Sequence, residues 1–247
     1  MDLRGKTALV TGGGVRVGRA LALGLAGAGC DLAIHYNRSA EPAEETRAEA
    51  ERLGVAAIAV GADLADPGSP ERLVAAAVER FGRLDVLVSS AAVFPEDDTL
   101  EASGAAEFDR LVAVNLRAPY LLARAFAAAR GRTGGGEPGR IVHLLDARVR
   151  RAGADHPVYR LTKRALWGLT GDLALALAPG VTVNGLALGA ILPPPGEDAE
   201  YLDRLAEERV PLGRPGSPGI VAENLLHLLR QDFVTGAVLT LDGGQFL

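Results

Sequence analysis

Apolar positions along this chain follow two rhythms. Short runs rich in Val, Ile, Leu and Ala predict strands near Thr7–Val10, Asp31–Tyr36, Ala56–Gly61, Val86–Ser89, Arg140–Leu144, Val181–Leu186 and Ala237–Leu241. Between them, longer stretches with helical spacing predict helices near Val17–Ala28, Pro42–Leu53, Pro70–Phe81, Ala106–Asn115, Ala118–Arg130, Val158–Leu177 and Ile220–Leu229. Several strand candidates are apolar almost throughout, as strands are when both faces of a parallel sheet are covered. The alternation therefore predicts an α/β protein, a single-domain Rossmann fold whose doubly wound seven-stranded parallel sheet carries helices on both faces.

No repeat or linker divides the chain. The stretch Gly131 to Gly139, GRTGGGEPG, reads as a loop before a strand, because the strand–helix rhythm resumes after it. An acidic amphipathic helix is expected over Glu197–Val210, behind a hinge stiffened by Pro193–Pro195. In this architecture the segment near 190–215 would cover a substrate.

Composition narrows the function classes. A net charge of −5 gives no basic surface for nucleic acid. One cysteine, Cys30, cannot form an intramolecular disulfide and suits a reducing compartment. The opening MDLRGKTALVTGG carries Asp2, Arg4 and Lys6 and passes straight into a strand, unlike a signal peptide. With no run of about 18 apolar residues, the expectation is a cytoplasmic protein without a membrane partner. The four histidines show no ligand spacing, so no metal site is expected.

Candidate chemistry begins at TGGGVRVGR, Thr11 to Arg19. A strand feeds this glycine loop and a helix leaves it, the arrangement in which bare backbone and a helix N-terminus favour a pyrophosphate. Gly12, Gly14, Arg16 and Val17 are the expected contacts. An acidic residue at the tip of the second strand would select NAD through the ribose 2′-hydroxyl. Here that tip reads Tyr36, Asn37, Arg38, Ser39. A forked guanidinium and a hydroxyl suit a 2′-phosphate, so the expected cofactor is NADP(H).

Further on, VYRLTK places Tyr159 and Lys163 one helical turn apart on a single face. A phenol with an ordinary pKa of about 10 is a poor proton shuttle at neutrality. A neighbouring ammonium and an oxidised nicotinamide would both favour its phenolate, making Tyr159 a usable general acid and base. Lys163 could also hold the nicotinamide ribose.

Taken together, TGGGVRVG, the ADL of Ala62–Leu64, Asn115 in VNLRAPY, YRLTK and the terminal VTGAVLTLDGG resemble the short-chain dehydrogenase/reductase family over essentially the whole chain. The resemblance implies NAD(P)-linked reduction of a carbonyl or imine by a protein that is usually a homotetramer. It also implies that Asp63 and Leu64 contact the adenine and that Asn115 helps hold a water relaying protons to Lys163. Ser90 and Ala91 would line the cofactor, and the loop from Gly189 would set Ile191 backbone groups on the nicotinamide carboxamide.

Three departures refine the expectation. Arg16 stands where the family generally has glycine, Asp146 stands where its catalytic serine belongs, and SSAAVF (Ser89–Phe94) replaces an asparagine pair followed by Ala-Gly. The first two, with HYNRSA after the second strand, resemble the pteridine reductase subgroup. There the arginine bridges cofactor phosphates and pterin, the aspartate joins tyrosine and lysine, and an aromatic residue, here Phe94, stacks on the pterin. The expected activity is NADPH-dependent hydride transfer to a pteridine or similar cyclic imine, with Arg16, Phe94, Asp146 and Tyr159 on the substrate. A ketone reductase acting on acyl-thioester, sugar or other carbonyl substrates is the alternative, and an NADP(H)-binding sensor without turnover a third reading.

Overall fold

The computed structural model describes residues 1–95, 98–133, 136–194 and 196–247. Strands β1 (Thr7–Thr11), β2 (Asp31–Tyr36), β3 (Ala57–Gly61), β4 (Val86–Ser89), β5 (Gly139–Asp146), β6 (Val181–Leu188) and β7 (Val238–Leu241) form one sheet in the order β3-β2-β1-β4-β5-β6-β7. Every pairing in it is parallel.

Side-chain alternation along each strand divides the core in two. Val10, Ile34, Val88 and Val142 point to one face. There they meet Leu21 and Leu25 of α1 (Arg16–Gly27), Ala43 and Ala50 of α2 (Ala40–Arg52), and Val221 and Leu225 of α8 (Pro218–Arg230). Leu9, Leu87, Ile141 and Val183 point the other way. They meet Leu73 of α3 (Ser69–Phe81), Leu122 and Phe126 of α5 (Ala118–Thr133), and Leu173 of α6 (Pro157–Leu177). Helices cover both faces, which is why the strands lack the polar alternation of a half-solvated sheet.

Two regions differ from the sequence expectation. The helices expected over Ala106–Asn115 and Ala118–Arg130 are one continuous run: α4 (Ala105–Val112) passes into α5 through a π turn at Ala113–Arg117. The Ala118 N–H reaches back to the Ala113 carbonyl, so one extra residue is held without breaking the helix. By length and composition alone the run Ala105–Gly131 could cross a membrane. In this fold Leu111, Leu122 and Phe126 bury its apolar stripe in the core. The β5 and β6 strands also extend to Asp146 and Leu188, beyond their expected ends, and carry those positions to the rim of the sheet. The acidic helix is α7 (Ala199–Arg209), seated through Leu202 and Ala206 against Ala190 and Val210. Pro195 of the expected hinge lies outside the described residues.

One core residue links the fold to pH. His143 on β5 is fully buried, its Nδ1 3.0 Å from Thr170 Oγ1, and burial, reinforced by Lys163, holds its pKa down to about 3. Between that value and the ordinary 6.5 the unfolded chain takes up a proton that the folded protein refuses. Stability should therefore fall as pH drops below about 6.5 and level off near pH 3. Urea unfolding midpoints between pH 7.5 and pH 4 measure this, and His143→Gln should flatten that limb.

Candidate active site

The strand order reverses at β1, whose neighbours β2 and β4 are reached by crossovers running in opposite directions. A crevice must open there, outside the carboxyl ends of the strands. The structure has a cavity of about 630 Å³ at this place, bounded by the glycine loop, the ends of β2 and β3, Ser90–Val93, and the Asp146/Tyr159/Lys163 group.

The glycine loop owes its shape to backbone crowding. Gly12 sits at φ +66°, and a Cβ there would lie 3.0 Å from Ala91 Cα. A Cβ on Gly14 would press on Ala43 at 2.9 Å, and one on Gly18 would overlap the Gly12 carbonyl. The chain can turn from β1 into α1 only where these side chains are missing. Val15, the N-cap of α1, offers no side-chain cap, so the first N–H groups of the helix face the crevice. That is an anion-binding cradle.

His35, at the end of β2, fixes this loop from below. Its Nδ1 accepts from the Gly12 N–H (3.2 Å), and its Nε2 lies 3.0 Å from the Ala62 carbonyl, which places the ring proton on Nε2. Burial pushes its pKa down, favouring the neutral ring that this pairing needs.

The tip of β2 supplies the expected group. Tyr36, Asn37, Arg38 and Ser39 all line the cavity. Arg38 is exposed and has no hydrogen bond or ion pair with any described residue. Ser39 is the N-cap of α2, yet its hydroxyl makes no capping bond. A free guanidinium, an unspent hydroxyl and a helix N-terminus thus converge where a 2′-phosphate would lie. Asp63 and Leu64 form the facing wall, Asp63 Oδ1 being engaged by the Ala65 N–H (2.9 Å). Val17, Ser90, Ala91 and Gly189 also line the cavity. Thr11 Oγ1 holds the Ser90 and Ala91 N–H groups, each at 3.1 Å.

At the other end the proton-transfer groups meet. Tyr159 Oη donates to Asp146 Oδ2 (3.2 Å), and Asp146 Oδ1 accepts from the Arg148 N–H (2.8 Å). The Arg148 guanidinium also pairs with Asp146, 3.0 Å away. Lys163 Nζ donates to the Leu144 carbonyl (2.9 Å) and lies 5.9 Å from the Tyr159 ring centre. Burial lowers the Lys163 pKa to about 8 against the pull of Asp146.

The tyrosine corrects one expectation. Burial, then the Asp146 carboxylate, raise its pKa well above the ordinary value; Arg148 opposes this, and Lys163 does not offset it. In this arrangement Tyr159 is held as a neutral phenol, a proton donor poised for reduction, rather than a ready phenolate.

Four other expected residues are held by contacts that the sequence does not display. Both ends of the Asn115 amide are spent: its oxygen accepts from the Val93 N–H (2.8 Å), and its nitrogen donates to the Val93 carbonyl (2.9 Å) and to Thr162 Oγ1 (3.3 Å). The Ile191 side chain is buried in the core against Gly216, and the residue is not part of the cavity wall. Arg16, at φ +51°, reaches across the mouth and donates to the Pro193 carbonyl (2.6 Å). That left-handed φ is the physical reason a glycine would otherwise suit the position. Phe94 stacks on His156 (ring centres 4.4 Å apart) and meets Tyr159 edge-on at 4.9 Å, with the Arg148 guanidinium 5.4 Å from its centre. Sequence reasoning passed over His35, Arg148, His156 and Asp98, whose carboxylate accepts from the Tyr159 N–H (2.9 Å). Arg148, two residues past Asp146, was within reach of a local reading; the others depend on the fold.

A glycine cradle, a free cation at the second strand's tip and a tyrosine–lysine–aspartate cluster at one rim define a dinucleotide-dependent oxidoreductase. The family model described as enoyl-(acyl carrier protein) reductase matches residues 14–245. An L-rhamnose 1-dehydrogenase (NAD(P)(+)) of Sphingomonas sp. is 38% identical over 99% of this chain and 98% of its own. The FolM alternative dihydrofolate reductase 1 of Brucella canis, solved with NADP, superposes with a TM-score of 0.92 at 33% identity, over 99% of this chain and 95% of its own. A short-chain dehydrogenase of Burkholderia cenocepacia, also with NADP, gives 0.91 at 35% identity over the full length of both. This chain belongs to the short-chain dehydrogenase/reductase family of NAD(P)-dependent oxidoreductases.

Because an added methyl at position 18 meets a backbone carbonyl rather than a mobile side chain, Gly18→Ala should force the β1–α1 turn apart. Titration of NAD(P)H fluorescence should show binding weakened by at least about tenfold, or about 1.4 kcal/mol.

Proposed function

We propose that this protein is an NADPH-dependent reductase delivering hydride to the C=N bond of a pteridine or similar cyclic imine. The observation that carries this reading is the Asp146 carboxylate hydrogen-bonded to the Tyr159 phenol at the cavity rim. The cradle at Gly12–Gly18 fits a pyrophosphate, and the unpaired Arg38 with Ser39 fits a 2′-phosphate, so the residues present suit NADP(H). When bound, NADPH supplies the hydride.

The chain's own groups handle the rest. Tyr159, held as a phenol, gives its proton to the nitrogen or oxygen whose double bond is reduced. Asp146 accepts the phenol's hydrogen bond at rest and can accept a second from an exocyclic amino group, which a serine does less well, while the one proton that accompanies the hydride comes from Tyr159. Lys163, fixed by the Leu144 carbonyl, keeps further N–H donors for the ribose and for the cavity. Arg16 has a guanidinium at the mouth that can serve phosphate and substrate together. The two FolM dihydrofolate reductases of Brucella, each solved with NADP, support this reading.

A second reading is favoured by a different observation. L-rhamnose 1-dehydrogenases of Sphingomonas sp., Thermoplasma acidophilum and Azotobacter vinelandii are 33–38% identical over nearly the whole chain. The His156 ring against Phe94 also takes up a stacking position that a flat bicycle would want. On this reading the substrate is a sugar, and Tyr159 takes up its hydroxyl proton as it gives its own to Asp146, which already accepts the phenol's hydrogen bond.

NADPH oxidation with dihydrobiopterin and dihydrofolate, beside NADP⁺ reduction with L-rhamnose, separates the two. Pterin turnover that Asp146→Ser lowers by about tenfold or more, and Tyr159→Phe by 10²–10⁴, is the expected result. Sugar oxidation with pterins inert selects the second reading. Independently, Arg38→Ala should weaken NADPH by about 10–100-fold, the worth of one or two charged hydrogen bonds, and leave NADH nearly unchanged. Equal losses for both cofactors would remove the 2′-phosphate role.

A further inference from the structure

Between β4 and α4 runs a connection that starts at Ser90 and carries Phe94 toward the substrate side of the crevice. Its residue Asp98 is buried, only 2% exposed, although it is a carboxylate with no cationic partner among the described residues. A buried charge without a counter-ion must be compensated by hydrogen bonds. Asp98 receives two. Oδ2 accepts from the backbone N–H of Tyr159 (2.9 Å), and Oδ1 accepts from the Ser103 hydroxyl (2.6 Å).

Tyr159 lies in the first turn of α6, where N–H groups have no partner inside the helix. The local N-cap cannot help. It is His156, in the left-handed region at φ +50°, and its side chain makes no capping bond. The cap comes instead from 61 residues upstream. The same connection is held at its other end by Asn115, which grips both backbone groups of Val93.

We propose that Asp98 is a positioning residue: by capping α6 at Tyr159 it fixes the phenol against Asp146 and locks the Phe94-bearing connection to the proton-donating helix. Its effect runs through Tyr159, with no contact to substrate. A shift of about 1 Å in a reacting group can cost on the order of 100-fold in rate, so a cap on this residue bears on turnover as well as on folding.

The proposal rests on the Tyr159/Lys163 chemistry common to both functional readings and on neither substrate, and its primary test needs no substrate at all. Phenolate absorbance is titrated in wild type, Asp98→Ala and Asp98→Asn, each with and without Tyr159→Phe to isolate that ring among the four tyrosines. In wild type the Tyr159 phenol should be silent through pH 10, being buried beside a carboxylate. Without the cap it should leave Asp146, gain access to solvent and titrate at a lower pH than in wild type. Asp98→Asn keeps an accepting oxygen and should titrate as wild type.

With whichever of dihydrobiopterin or L-rhamnose turns over, Asp98→Ala should lower kcat about 10–100-fold and change the KM for the dinucleotide less than about twofold, while Asp98→Asn restores kcat. A purely structural residue would lower the melting temperature without moving the phenol titration. Ser103→Ala, which loosens the carboxylate mildly, should shift the titration the same way to a smaller extent, and decides the matter if Asp98→Ala does not fold. A Tyr159 phenol that stays silent in the alanine variants, or an asparagine variant that behaves as alanine while still folded, overturns the proposal.

Discussion

The turn from β1 into α1 brings backbone so close to backbone that a side chain cannot pass between, and the rest of the site depends on that approach. Gly18 lies so near the Gly12 carbonyl that no side chain fits between them. This contact sets α1 with its open N–H groups over the end of the sheet, and the sheet's order then places the tips of β2 and β5 on opposite sides of the same crevice. Arg38 stands at one side and Asp146 at the other. Neither position would carry meaning without the loop between them.

The architecture was legible because its signals are local. Unbroken apolar strands mean a sheet covered on both faces, and all seven strands and the spacing of Tyr159 and Lys163 follow from such patterns. The helical run through Asn115 reads as two pieces in the sequence, because a π turn leaves no mark in hydrophobic periodicity. What stayed hidden are contacts between segments far apart in the chain. His35 beneath Gly12, Asp98 above Tyr159 and Arg16 reaching Pro193 join residues 23, 61 and 177 positions apart. The phenol's protonation is hidden from the sequence for a related reason. The sequence displays a lysine one turn away but not the depth of burial, and burial is the largest influence on Tyr159.

The electrostatics of the rim form a graded set. Asp146 is shared between Arg148, which neutralises it, and Tyr159, which it keeps protonated. Lys163, buried and drawn down to about 8, carries a charge that is only moderately secure near neutrality. Amine and phenol thus share one rim with their protonation set chiefly by depth of burial, as proton-transfer sites require.

The π turn in the α4–α5 run has a consequence for how this region can tolerate change. One additional residue in a helix swings everything beyond it by about 100°, so the turn acts as a phase shifter between two rigid rods. Upstream, Leu111 is aimed into the core; downstream, Leu122 and Phe126 are aimed there too; and Asn115 at the joint is aimed at Val93. Deleting or adding a single codon anywhere along this stretch would misdirect one of those three sets. The length of this helix is thus fixed by angle, and it should accept altered side chains far more readily than altered numbering.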